Sequence, residues 1–137
     1  MPNSFADSRP RVLIVDDEPF ISESLSLAFR QQGFEARSAY SAEGALALLK
    51  TWQPEIAIVD ICLAKMNGID FALRLREAYP DCKLLLFSGR TDSDAVFQDA
   101  QEMGLEFASV EKPVQPPVLI AAARRLLRPA FIATRLS

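Results

Sequence analysis

Apolar positions along this chain fall into two patterns. Four short stretches are rich in apolar residues: Val12-Leu13-Ile14-Val15, Ile56-Ala57-Ile58-Val59, Leu84-Leu85-Leu86-Phe87 and, more weakly, Phe107 to Val110. Continuous apolar character predicts strands buried on both faces, as in a parallel sheet. Glu35 to Ala39 reads as a shorter, edge-like strand. The segments between have apolar residues at three- and four-residue spacing, the period of a helix with one buried stripe. The predicted stripes are Ile21, Leu25 and Ala28 with Phe29 alongside; Ala45, Leu46 and Leu49; Phe71, Leu75 and Ala78; Val96, Phe97 and Ala100; and Leu119, Ala122 and Leu126. Phe20 is expected in the core.

Local punctuation agrees with these limits. Gly33 follows the first helix, where a left-handed C-terminal residue is wanted. Ser41 is placed to cap the second helix. Pro54 separates that helix from the next strand, Pro80 ends the third helix at Tyr79, and Gly104 ends the fourth. The order is strand then helix, five times over. That pattern predicts an α/β doubly wound (βα)5 fold, a flavodoxin-like three-layer sandwich with parallel strand order 2-1-3-4-5. The domain is expected over residues 11–128, with tails at 1–10 and 129–137.

Composition narrows the chemistry. A chain of 137 residues, half of them apolar, suits one globular domain. No apolar run approaches the roughly 20 residues of a membrane span, and residues 1–11 hold no signal-peptide core. The net charge of −3 argues against a nucleic-acid surface covering the domain. The arginines at 124, 125, 128 and 135 read as a solvated helix end. No histidine is present, which excludes His-based acid–base catalysis and His metal sites. Cys62 and Cys82 are too few for a zinc cluster or a disulfide scaffold. A reduced, cytoplasmic protein is the expectation.

In an open α/β sheet a ligand sits beyond the carboxyl ends of the strands. Asp16, Asp17 and Glu18 follow the first long strand, Asp60 the next, Ser88 and Gly89 the fourth, and Lys112 and Pro113 the last. Strands 1 and 3 are neighbours in the predicted order, so Asp16, Asp17 and Asp60 can meet. Clustered carboxylates repel one another, which raises a pKa or calls for a cation. With oxygen donors alone the fitting cation is Mg²⁺, which tolerates few carboxylates and keeps room for water and a phosphate oxygen. Carboxylates, Mg²⁺, an ammonium and a hydroxyl together suit receipt of a phosphoryl group.

This arrangement resembles the receiver domain of two-component response regulators, of the CheY-like, stand-alone type. The residues that carry the resemblance are Val12 to Pro19, Asp60 to Gly68, Phe87-Ser88-Gly89 and Lys112-Pro113. The intervals between Asp17, Asp60, Ser88 and Lys112 follow the family. The resemblance implies that Asp60 is the phosphoacceptor. It implies that Asp16, Asp17 and Asp60, with the backbone carbonyl of Cys62, hold Mg²⁺. Ser88 then matches the switch hydroxyl, and Lys112 the lysine that contacts the phosphoryl group. The implied donor is a phosphohistidine on a sensor histidine kinase or phosphotransfer protein, and the implied output is a switch that controls a protein partner. Direct nucleic-acid binding and membrane contact are not expected, and a homodimer stays open. The implied activity is that of a phosphoacceptor signalling domain, not a classical enzyme. Two positions depart from the family: Ala64 stands where proline is usual, and Ser109 where an aromatic switch residue is usual, with Phe107 the nearest aromatic.

Other readings compete. An aspartate-nucleophile phosphatase needs a second acid two residues after the nucleophile, and Cys62 stands there. A dinucleotide or flavin binder needs a glycine-rich loop after the first strand, and Asp16-Asp17-Glu18-Pro19 stands there. A degenerate receiver, binding a protein partner without phosphorylation, is the alternative closest to the leading one. The plainer possibility that Asp16, Asp17 and Glu18 only cap a helix also stands.

Overall fold

A computed structural model describes residues 9–61, 63, 68–87, 98, 102 and 115–127. Among them the chain runs β1 (Arg11–Val15), α1 (Pro19–Gln31), β2 (Glu35–Ala39), α2 (Ala42–Leu49), β3 (Ile56–Asp60), α3 (Gly68–Ala78), β4 (Lys83–Phe87) and α4 (Pro116–Leu127). The strand expected at Phe107 to Val110 and the helix expected around Val96 to Ala100 fall outside the described residues. The described strands form a parallel sheet in the order β2-β1-β3-β4. That is the doubly wound order predicted from the apolar runs, and β2 is the outer strand as its mixed composition suggested.

The continuous apolar runs are explained by helices on both faces. Alternate residues of each strand point to opposite sides. Leu13, Val15, Ala57, Val59, Leu84 and Leu86 pack with Ala45 and Leu49 of α2 and Phe71 and Leu75 of α3. Val12, Ile14, Ile56, Ile58, Leu85 and Phe87 pack with Leu25 and Phe29 of α1 and Leu119 and Ala123 of α4. A strand such as β3, buried at every position, therefore has no polar face to show in sequence. Pro10 already joins the pairing, since its carbonyl accepts from Glu35 N–H at 2.8 Å.

Helix ends form as the punctuation requires. Gly33 has φ +93°, the left-handed region that glycine adopts without a Cβ clash. Phe34 N–H reaches the Phe29 carbonyl at 3.1 Å and Gly33 N–H the Arg30 carbonyl at 3.1 Å. That pair of bonds is a Schellman closure, and the Phe29 and Phe34 rings meet edge-on at 4.9 Å across it. Arg124 of α4 binds the same turn: its guanidinium donates to the Gln32 carbonyl at 3.1 Å and lies over the Phe34 ring. At the start of α2, Ser41 Oγ accepts from Gly44 N–H at 2.9 Å.

The buried stripe of α1 differs from the predicted one. It is Ser22, Leu25, Ser26 and Phe29, with Ile21 and Ala28 only partly buried. Apolar residues alone put the stripe one position too early, because two small serines sit on the inner face. Phe20 is correspondingly not a core residue. It lies on the outer side of the first turn of α1 and is 83% exposed.

Candidate functional site

The turn from β1 into α1 gathers the acidic residues. β1 pairs with β3 up to Val15 and Val59, so Asp16 stands one step beyond that match on one strand and Asp60 on its neighbour. Both are buried, Asp16 fully and Asp60 to 2% exposure. Asp16 N–H donates to the Ala39 carbonyl at 3.2 Å, which carries the β1–β2 ladder one residue further. Its Oδ1 accepts from Glu18 N–H at 2.9 Å, a local side-chain turn that swings the chain into the helix. Pro19 then occupies the first helical position, where a missing N–H costs nothing.

One carboxylate oxygen from each of Asp16, Asp17 and Glu18 lies within 4.8 Å of the others. Glu18, to which the resemblance assigns no role, belongs to this set; Asp60, at the end of β3, does not. The helix-capping explanation accounts for little of this. Glu18 is the residue before the helix, and its side chain makes no capping bond. Asp16 shapes the turn through one oxygen, while Asp17 is half-buried at the same mouth. Carboxylates held this close cost free energy unless positive charge offsets them. The donor set is oxygen only, with no imidazole or thiolate in it, so it suits a hard divalent cation such as Mg²⁺ and not zinc or copper.

Beside Asp60 the chain is tightly held. Ile61 N–H donates to the Phe87 carbonyl at 3.0 Å, and Gly68 N–H donates to the Ile61 carbonyl at 3.1 Å. The chain that leaves β3 at Asp60 thus returns to it at the first residue of α3. On the far side of β2, Ser38 Oγ donates to Glu23 of α1 at 2.6 Å and the Tyr40 hydroxyl donates to the same carboxylate. These hydroxyls, Ser38 first, hold the Glu23 carboxyl below its usual range. Composition did not suggest this pairing, since Glu23 reads as an ordinary exposed helix residue.

Cys62, Ser88 and Lys112 fall outside the described residues, as do Ala64, Phe107 and Ser109; of the expected site, the described residues hold Asp16 and Asp17 after β1 and Asp60 at the end of the neighbouring β3. Cys82 is buried immediately before β4; burial pushes its thiol up to about 12, which suits a packing role. Among the described residues no helix is long and apolar enough to cross a membrane.

A family model described as the response regulator receiver domain matches residues 12–124. The chain belongs to that family. It is 32% identical over 123 residues to the DNA-binding response regulator MtrA of Mycolicibacterium smegmatis, covering 88% of this chain and 51% of that protein. It is 29% identical over 130 residues to the probable transcriptional regulatory protein TcrX of Mycobacterium tuberculosis, covering 94% of this chain and 55% of the relative. Among solved structures it resembles a CheY-like receiver domain protein from Methanospirillum hungatei, at 28% identity and a TM-score of 0.74 over 86% of this chain and 93% of the other. The receiver domain of NtrX from Brucella abortus matches at 27% identity and a TM-score of 0.76, over 85% and 97%. The CheY-like doubly wound fold read from the sequence is therefore the fold of the chain, and receivers of this family are signalling domains that generally use Mg²⁺ at an acidic cluster.

One expectation is overturned. The absence of direct nucleic-acid binding was argued from a net charge of −3. Relatives such as MtrA are DNA-binding response regulators, and this chain spans about half their length. The charge of one stretch describes only that stretch's surface, so it carries no exclusion for a receiver of this kind.

Proposed function

We propose that this receiver accepts a phosphoryl group on Asp60. The observation that carries the reading is the burial of Asp16 and Asp60 on the carboxyl ends of adjacent parallel strands, with Asp17 and Glu18 at the same mouth. In the reaction an Asp60 carboxylate oxygen attacks the phosphorus of a phosphohistidine on a sensor histidine kinase. The phosphorus–nitrogen bond breaks as the acyl phosphate bond forms, and the imidazole leaves with the electron pair and takes up a proton. These 137 residues contain no histidine, so the donor imidazole lies outside them. Asp16 and Asp17 would hold Mg²⁺, with Asp60 and the Cys62 carbonyl as further ligands, and the bound ion would supply positive charge against the phosphoryl oxygens. Lys112 and Ser88 are the groups assigned to contact the phosphoryl group, and the altered contacts bias the conformation offered to a downstream protein.

The reading is tested by incubating the chain with acetyl phosphate and measuring intact mass. One phosphoryl group should add in the presence of Mg²⁺, should fail to add with excess chelator, and should be removed by hydroxylamine, as an acyl phosphate is. A chain that stays unmodified under all conditions, yet folds, would instead favour a receiver that binds its partner without phosphorylation.

A further inference from the structure

We infer that Gly68 is a positioning residue for phosphoryl transfer to Asp60; this rests on the phosphoacceptor reading above. A Cβ at Gly68 would stand 2.3 Å from the Asp60 carbonyl oxygen, 2.5 Å from Ile61 Cα and 3.0 Å from the Asp60 carbonyl carbon. All three are backbone atoms, so no side chain can rotate away to make room. Neither partner in the contact is loose. The Asp60–Ile61 peptide is fixed on its other side by β4, where Asp60 pairs with Phe87 and Ile61 N–H reaches the Phe87 carbonyl. The start of α3 is fixed by Ile69, Phe71 and Ala72, all buried in the core on that face. The bond from Gly68 N–H to the Ile61 carbonyl closes the contact. The peptide that carries the acceptor carboxyl is therefore gripped between β4 and the bare Cα of Gly68. Phosphoryl transfer depends on aligning the attacking oxygen with a donor and a cation, and a misplacement of about 1 Å can cost about a hundredfold in rate. A methyl group at position 68 must shift either α3 or the acceptor peptide by a substantial part of that distance. Gly44 makes the contrast: there a Cβ would meet only Ser41 Oγ at 3.2 Å, the movable end of a side chain.

The test compares Gly68→Ala with wild type and Gly44→Ala. Phosphoryl incorporation from acetyl phosphate is followed across a Mg²⁺ titration, and each rate is divided by the folded fraction from circular dichroism. Wild type and Gly44→Ala should incorporate alike. Gly68→Ala should be slower by about tenfold or more per folded molecule, with its Mg²⁺ midpoint moved upward. A Gly68→Ala chain that is less stable but reacts at the wild-type rate per folded molecule would overturn the inference, since glycine would then serve packing alone. Failure of the wild type to react would overturn the phosphoacceptor reading itself. If Gly68→Ala does not fold, the wild type decides. Exchange of the Gly68 amide hydrogen should slow when Mg²⁺ and beryllofluoride are added, and an unchanged rate there would overturn the inference.

Discussion

Ser26 shows how a single atom can work against the fold. Its hydroxyl is buried on the inner face of α1, and Oγ has no hydrogen-bond partner. Its neighbour one turn earlier, Ser22, donates to the Ile14 carbonyl at 3.4 Å, a long bond. A buried unpaired hydroxyl costs on the order of 1–3 kcal/mol. Ser26→Ala removes that cost and raises helix propensity, so the variant should be more stable by about 1 kcal/mol in urea denaturation. An unchanged or lower midpoint would mean that the hydroxyl finds a partner in solution. The same residue marks the limit of the sequence reading. Hydrophobic periodicity weighs a serine as polar wherever it falls, so the stripe of Ile21, Leu25 and Ala28 with Phe29 alongside finds Leu25 and Phe29 but not Ser22 and Ser26, which share their buried face. Phe20 failed for the complementary reason: an aromatic ring was credited to the core although helix geometry turns it outward.

Elements were far more legible than their faces. β1, β3 and β4 are legible as buried strands because each carries four consecutive apolar residues, and each is covered on both sides. The ends of α1 and α2 were legible because capping uses few residue types. Gly33 supplies the positive φ and Ser41 the side-chain acceptor. Ser41→Ala leaves Gly44 N–H without its acceptor at the start of an eight-residue helix. The loss should be about 1 kcal/mol by thermal or chemical denaturation, with Ser41→Asp close to wild type. What the elements could not announce is how near they approach one another. Gly68 stood in the quoted motif, but only the coordinates put its Cα against the Asp60 carbonyl.

At the scale of the whole molecule, the parallel order β2-β1-β3-β4 sets carboxylates distant in sequence on the carboxyl ends of adjacent strands. Asp16 and Asp60 lie far apart in sequence and share that edge only because β1 and β3 are neighbours, which the predicted strand order makes legible. Glu18 joins Asp16 and Asp17 because the Asp16 turn folds the triplet on itself. Crowding these charges carries a repulsive cost that a bound cation would offset. Asp17→Asn should therefore be more stable than wild type in chelator, by about 1 kcal/mol, and should lose most of the rise in Tm that Mg²⁺ gives the wild type. Equal Mg²⁺ stabilisation of both proteins would remove Asp17 from the metal set. The central claim is that one carboxyl, Asp60, receives the phosphoryl group. The most direct measurement treats the chain with acetyl phosphate and Mg²⁺, reduces the product with borohydride and maps it by tandem mass spectrometry. Reduction converts a phosphorylated aspartate to homoserine. The account predicts homoserine at position 60 and nowhere else, and none in Asp60→Ala; homoserine at position 16 or 17, or at no position, would contradict it.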